Sequence, residues 1–476
     1  MICVPRSGEA FLLATVLHYE AVTRACRGGL APLGDRMVPA IFSGHFWRIP
    51  LWRKQPDMAD KIVTLISRQI RRTPFAAIRT CAYILGFAAP FEWDLPLIAL
   101  AVFAFLSVVF NPGNAPTSRP ALLFPVMFFV VSVGASTFVS INATWSLFLS
   151  VSLLPAGLIY FLVAGQFYSF RHVRMLFVSF ATLSFAISVL LIIQALRNLD
   201  GNPTKWISDF ASPILVVPND IALLAVISPL SIALLYCERD SLIRTMAVAS
   251  VLLSAVAISI FQSRTGILTM VVSTTACLWF IRPRLALICG ASIVTFGFLV
   301  DGLLGFPLLA KLGQGISNTR LSLWLAAWNM FLDAPLLGHG PHTYGLLLQS
   351  YVYDLDLPNW EPLANLVRPW PEKSVAPWPH NLFLEILAEQ GVIGLVALSA
   401  LLVSALRLGW KLRESARNHV RIYGIAAASA LLGFCFAGIL ELTFMRLWVT
   451  IAMFSLVAVL ACLSRPEAME HSGESR

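Results

Sequence analysis

The chain has 476 residues, 58% of them hydrophobic and only 12% charged, with a mean hydropathy of +0.78 and a formal net charge of +9. A soluble protein would carry roughly a quarter charged residues, so a water-surrounded globular domain is excluded. The positive charge does not argue for nucleic acid, because Lys and Arg are distributed by position along the chain rather than spread over one surface.

Residues 1–72 hold eleven Lys/Arg and no apolar run of spanning length. They are expected to be a cytoplasmic N-terminal tail, partly helical near 56–72. From residue 73 onward many apolar runs reach the ~20 residues that cross a bilayer. The runs are continuous rather than alternating, which favours helices over a barrel. Twelve spans are predicted: 76–91, 95–110, 121–139, 145–165, 172–195, 219–237, 243–261, 266–281, 285–303, 381–406, 421–440 and 445–462. The fold class is therefore an all-α integral membrane protein. Its domains are a bundle of nine spans over 73–303, a large loop at 304–380, three more spans over 381–462 and a C-terminal tail at 463–476. Eight scattered cysteines include no Cys-x-x-Cys pair, so neither a disulfide framework nor a zinc site is expected.

Orientation follows from the positive-inside rule. The 407–421 connection has five Lys/Arg in fifteen residues, 166–174 carries Arg171 and Arg174, 238–244 carries Arg239 and Arg244, and 282–284 reads Arg-Pro-Arg. All four fall on one side of the twelve-span topology, assigned to the cytoplasm with both termini. The 304–380 loop has four Lys/Arg in 77 residues and falls on the other side.

That loop holds five of the thirteen Trp. Over Asn318–Asp333, Leu321, Trp324, Leu325, Trp328 and Phe331 recur at helical spacing. Ser317 or Asn318 can cap the start, and Pro335 with Gly338 ends the run. This predicts an amphipathic helix lying along the outer face. The Pro-, Trp- and acid-rich stretch 353–380 would form an ordered cap or a lid. The Trp rings suit either the membrane interface or stacking on sugar rings.

Ionisable side chains in or beside spans are costly and need reasons. Arg264 falls on the loop side between two spans. It is either a snorkelling turn residue or, with the backbone N–H groups after Gly266, a phosphate site. Arg320, opening the loop helix, is either solvated or a second arm of such a clamp. His380, where the loop meets the next span, is either a capping interface residue or a general base. Asn381 would begin the following helix. Glu385 and Glu389 lie one and two turns below His380; Glu385 could orient the imidazole or pair with an Arg. Glu441 and Arg446 could form an ordinary ion pair. His339 and His342, lacking a local acid, make a weak metal site.

These residues resemble one family. Ser263-Arg264-Thr265-Gly266-Ile267-Leu268 is similar to the Arg-x-x-x-Leu element of the O-antigen ligase and O-antigen polymerase-like membrane proteins (the Wzy/WaaL superfamily). Arg320–Gly340 (RLSLWLAAWNMFLDAPLLGHG) resembles their Arg-led loop helix and Pro-Leu-Leu-Gly-x-Gly turn. His380-Asn381, nine residues, then Gly391-Val392-Ile393-Gly394 resembles their His-[Asn/Ser/Gln]-x9-Gly-x-x-Gly pattern. The likeness covers roughly 200–410, and His339 and His342 depart from it.

The resemblance implies a GT-C-like bundle with a large periplasmic loop in the bacterial inner membrane. It implies a metal-independent, cofactor-free glycosyltransferase that moves a glycan from undecaprenyl diphosphate to an acceptor hydroxyl. That acceptor would be a growing glycan or lipid A–core, at the periplasmic face among membrane lipids and without nucleic acid. Arg264, Arg320 and His380 would then be catalytic. Arg264, Arg320, Trp324 and Asn381 would bind substrate, and Gly391 and Gly394 would permit close helix packing. Ligase and polymerase remain equally open. The alternative is a multispan polysaccharide transporter or flippase, which should carry charged or broken helices near the bilayer midplane.

Overall fold

The computed structural model describes residues 121–150, 160–161, 164, 170–197, 221–261, 263–304, 318–354, 378–444 and 447–465. The predicted spans 76–91 and 95–110, the 1–72 tail and most of the 353–380 stretch lie outside them. Among the described residues there are helices and no strands. In chain order these are α1 (Leu123–Phe138), α2 (Ala143–Ser150), α3 (Phe170–Arg197), α4 (Ala222–Cys237), α5 (Ser241–Ile260) and α6 (Arg264–Ile281). Then follow α7 (Pro283–Leu304), α8 (Asn318–Asp333), α9 (Tyr344–Asp354), α10 (Leu382–Leu412), α11 (Asn418–Leu440) and α12 (Leu447–Leu463). Five of them, lying in α3, α5, α6, α10 and α11, are long and apolar enough to cross a membrane. The protein is a multi-pass membrane protein.

Helix α4 is the centre of the bundle. Residues 222–234 are buried on every side, packed against α3, α5, α6 and α11. A helix apolar all round needs such a jacket. Pro229 sits inside it and cannot donate to the Ala225 carbonyl one turn back. Two hydroxyls take over that carbonyl: Ser228 Oγ at 2.8 Å from within the helix and Ser273 Oγ at 2.9 Å from α6. A proline in a span is tolerated when neighbours satisfy the freed backbone group in this way.

Helix α10 is two helices joined at Gly391, whose φ of 65° and ψ of −166° are not helical. The turn after α8 docks into the break. Pro335 and Leu336 carbonyls accept from Val392 and Ile393 N–H at 2.9 and 3.2 Å, while His339 and Gly340 N–H donate to Ala388 and Glu389 carbonyls at 3.2 and 2.8 Å. Ser136 Oγ of α1 adds a bond to the Glu389 carbonyl. The break thus leaves its backbone groups bonded. A Cβ at position 391 would lie 2.4 Å from the Leu336 carbonyl carbon. Gly391 therefore serves a broken helix and a docked turn, where sequence had suggested close packing of a continuous span.

The loop helix begins and ends where its spacing predicts. The side that packs on the protein is made of other residues than the Leu and Trp stripe. Leu323, Ala326, Ala327 and Met330 pack inward against Tyr344, Leu348 and Ala388, whereas Leu321, Leu325 and Trp328 are exposed. Small alanines permit the close contact, and the larger side chains face away. Helix α9 was not foreseen; the sequence there reads as loop.

Candidate functional site

One end of the bundle gathers the start of α6, the start of α8, the start of α10 and the end of α11. Its geometry is organised by Glu441, the C-cap residue of α11, which is 4% exposed. Glu441 Oε1 lies 2.6 Å from His380 Nδ1. Glu441 Oε2 accepts from Arg320 Nη2, and Arg320 Nη1 donates to the Leu440 carbonyl at 3.0 Å. A buried carboxylate is costly unless paired and hydrogen-bonded; here a guanidinium and an imidazole do both. Arg264 stands in the first turn of α6 behind its cap, Ser263 Oγ, which accepts from Gly266 N–H at 3.1 Å. The charge of Arg264 feels both Arg320 and Glu441.

His380 is held in a left-handed conformation, φ 54°, which costs a non-glycine residue on the order of 1–2 kcal/mol. Three neighbours fix it. Trp324 Nε1 of α8 donates to the Pro379 carbonyl at 3.0 Å, and the Trp378 ring lies 5.3 Å from the imidazole. Asn381 Oδ1 caps α10 by accepting from Phe383 and Leu384 N–H at 3.0 and 3.1 Å. The carboxylate at Nδ1 selects the tautomer protonated there, leaving the Nε2 lone pair as the acceptor of the neutral ring.

The structure therefore brings Arg264, Arg320, Trp324, His380 and Asn381 to one place. It gives Trp324 and Asn381 positioning contacts: the indole N–H and the amide oxygen are already engaged by backbone. The carboxylate at His380 Nδ1 is that of Glu441; Glu385 Oε1 accepts from Phe444 N–H at 3.1 Å. Glu441 has two partners that sequence reasoning did not give it, Arg320 and His380; the expected partner, Arg446, lies outside the described residues. The available signal was a lone acid closing an otherwise uncharged span, at the same end as two unexplained arginines.

Beside this cluster lies a second carboxylate. Glu389 Oε2 and Oε1 accept from the backbone N–H of His342 (2.8 Å) and Tyr344 (3.0 Å), holding the start of α9. His342 also has a positive φ of 61°, yet its imidazole is 4% exposed and both ring nitrogens lack a partner. Burial pushes that imidazole down to about 4. His339 places Nε2 2.9 Å from the Met330 carbonyl. A cavity of about 230 Å³ opens between α1, α2 and α12, lined by Phe129, Val133, Gly134, Leu147 and Phe454 among others. Phe129 meets Phe444 edge-on at 5.9 Å, so this apolar slot adjoins the turn carrying Glu441.

The opposite end of the bundle is basic. Arg174 and Glu238 form a bidentate pair at 2.7 Å, joined by Tyr423 Oη at 3.2 Å. Arg413 stacks 3.9 Å over the Trp410 ring.

Residues 249–399 match the family model of the O-antigen ligase domain, Wzy_C, a family of ligase- and polymerase-type glycosyltransferases. The matched stretch contains Arg264, Arg320, Trp324, His380 and Asn381 and stops before Glu441. No curated protein sequence matches the chain.

Proposed function

We propose that this chain, carrying an O-antigen ligase domain, transfers a glycan from undecaprenyl diphosphate to an acceptor hydroxyl. The supporting observation is the Arg320–Glu441–His380 chain with Arg264 in electrostatic range. In the proposed step the acceptor oxygen attacks the anomeric carbon and its proton passes to His380 Nε2. The bond from that carbon to the diphosphate oxygen breaks, and the electron pair leaves with the diphosphate. Arg264 and Arg320 neutralise the developing charge. Glu441 stabilises the imidazolium and keeps the ring in the productive tautomer, as a carboxylate behind a histidine base does. Trp324 offers its ring face to the sugar while its N–H holds the 379–381 turn, and Asn381 sets the start of α10.

The full topology we propose has twelve spans, the site end facing the periplasm and the basic end the cytoplasm of a bacterial inner membrane. Cysteine labelling from outside is then expected at position 360 and not at 413; the reverse result would invert the topology. We further propose that the reaction needs no metal. Transfer should persist in EDTA, and a loss restored by Mg2+ would contradict charge neutralisation by arginine.

The central test is replacement of Arg264 or His380 by Ala. Glycan transfer should be abolished while insertion and protein level survive. Full transfer in both variants would remove the mechanism. Analysis of the surface glycan in a deletion strain separates the two transferase types. Loss of all polymer from lipid A marks a ligase, whereas a single repeat left there marks a polymerase.

A further inference from the structure

Helix α8 carries four different faces. Leu323, Ala326, Ala327 and Met330 point into the protein. Arg320 and Trp324 point to the Glu441–His380 cluster. Half-buried Asn329 and exposed Asp333, one turn apart, form a polar edge. On the side opposite the core, Leu321, Leu325, Trp328 and Leu332 recur at intervals of four, three and four residues, the period of one helical face, and all four are exposed.

This stripe does not end with the helix. Leu336 follows it, 65% exposed, in the turn whose carbonyls bond Val392 and Ile393 N–H of α10. There Val392, Ile393 and Val396 continue the exposed apolar surface down a helix that is long and apolar enough to span a membrane. Among the described residues the band from Leu321 to Val396 is made of apolar side chains. A surface lying flat against water should not carry such a continuous band.

We propose that α8 lies half-immersed in the bilayer, with Leu321, Leu325, Trp328 and Leu332 among the acyl chains of the leaflet at the site end and its polar edge in the headgroup layer. The occupant is membrane lipid because the band joins, without a break, the outward side of a spanning helix; a soluble partner would have to cross that boundary. The 16-residue helix, about 24 Å long, then acts as a float. It fixes the height of Arg320, and so of the whole cluster, at the depth where a lipid's phosphate groups lie. The immersion itself does not depend on the transferase reading.

The test uses the full chain in phosphatidylcholine–phosphatidylglycerol nanodiscs. Leu325→Cys and, separately, Trp328→Cys are labelled with bimane, the signal of the equally treated wild type is subtracted, and Ser350→Cys on α9, an exposed position, is the water-facing control. With bromine-substituted acyl chains, bimane at 325 and 328 should be quenched at least twofold and emit at shorter wavelength, while bimane at 350 is unchanged. Water-like emission without quenching at both positions overturns the proposal. So does unquenched, blue-shifted emission accompanied by a dimer in light scattering, which would assign the stripe to a second copy of the chain.

Discussion

Among the described residues two histidines sit in left-handed backbone, each beside a buried carboxylate, and they are used in opposite ways. At His380 the carboxylate of Glu441 meets the ring, and Arg320 shares that carboxylate. At His342 the carboxylate of Glu389 meets the backbone N–H, and the ring is buried with neither nitrogen bonded. The same pair of residue types is therefore a candidate proton carrier in one region and a structural latch in the other. What separates them is which part of the histidine faces the acid. A ring nitrogen held by a carboxylate has a defined tautomer and a second nitrogen to offer. A ring sealed in apolar surroundings is confined to its neutral form.

The contrast is broken most severely by exchanging the acids for amides. Glu441→Gln keeps the shape but loses the charge that stabilises an imidazolium, and it leaves Arg320 beside a neutral partner. We expect glycan transfer per folded molecule to fall by roughly 10²–10⁴-fold, on top of the lower melting temperature that loss of a buried, paired charge brings. Glu389→Gln should affect stability alone. One backbone N–H at the start of α9 loses its acceptor, at a cost of about 1–3 kcal/mol, read as a lower melting temperature in detergent. Transfer per folded molecule should be largely kept. Equal catalytic losses in the two variants would erase the distinction between the regions.

Acid provides a second way to tell them apart. The unfolded chain protonates His342 near its ordinary value of 6.5, whereas the folded ring resists protonation until about 4. The unfolded state therefore binds more protons through this interval, and stability must rise with pH across it. The contribution is complete above about 6.5 and is lost as pH falls towards 4, amounting to about 3 kcal/mol. His342→Leu should remove that part of the slope. The difference between the two melting-temperature profiles isolates it from carboxylates that do not touch residue 342; Glu389, which bonds the His342 N–H, is controlled for by repeating the pair in a Glu389→Gln background. Parallel profiles would mean that the ring is hydrated rather than sealed.

Much of this architecture was legible because it is periodic. The spans predicted at 266–281, 285–303 and 421–440 meet helices at Arg264–Ile281, Pro283–Leu304 and Asn418–Leu440. The loop helix matched its predicted limits because Pro335 stops it locally. What periodicity could not reveal are contacts made across the chain. Glu441 and Arg320 are 121 residues apart, and nothing in either neighbourhood names the other. The break at Gly391 was hidden for the same reason: its φ is set by a turn docked from 55 residues earlier. The stripe on α8 was read correctly as apolar, but which apolar face turned inward depended on small alanines finding α9, a helix whose own pattern was too short to recognise.

The smallest expected effect concerns Asn381, and it separates binding from positioning at the site itself. Its amide oxygen accepts two backbone N–H groups at the start of α10, so Asn381→Ala should cost about 1 kcal/mol of stability, the usual worth of an N-cap. Because the capped turn directly follows His380, the imidazole should lose alignment with Glu441. The turnover number should then fall while the KM for the lipid-linked donor stays close to wild type. Asn381→Asp or Asn381→Ser, which also cap helices, should restore most of the rate. A rise in KM with unchanged turnover, unrescued by these caps, would instead make the side chain a substrate contact. It would also show that the left-handed His380 is held mainly by Trp324 and Trp378.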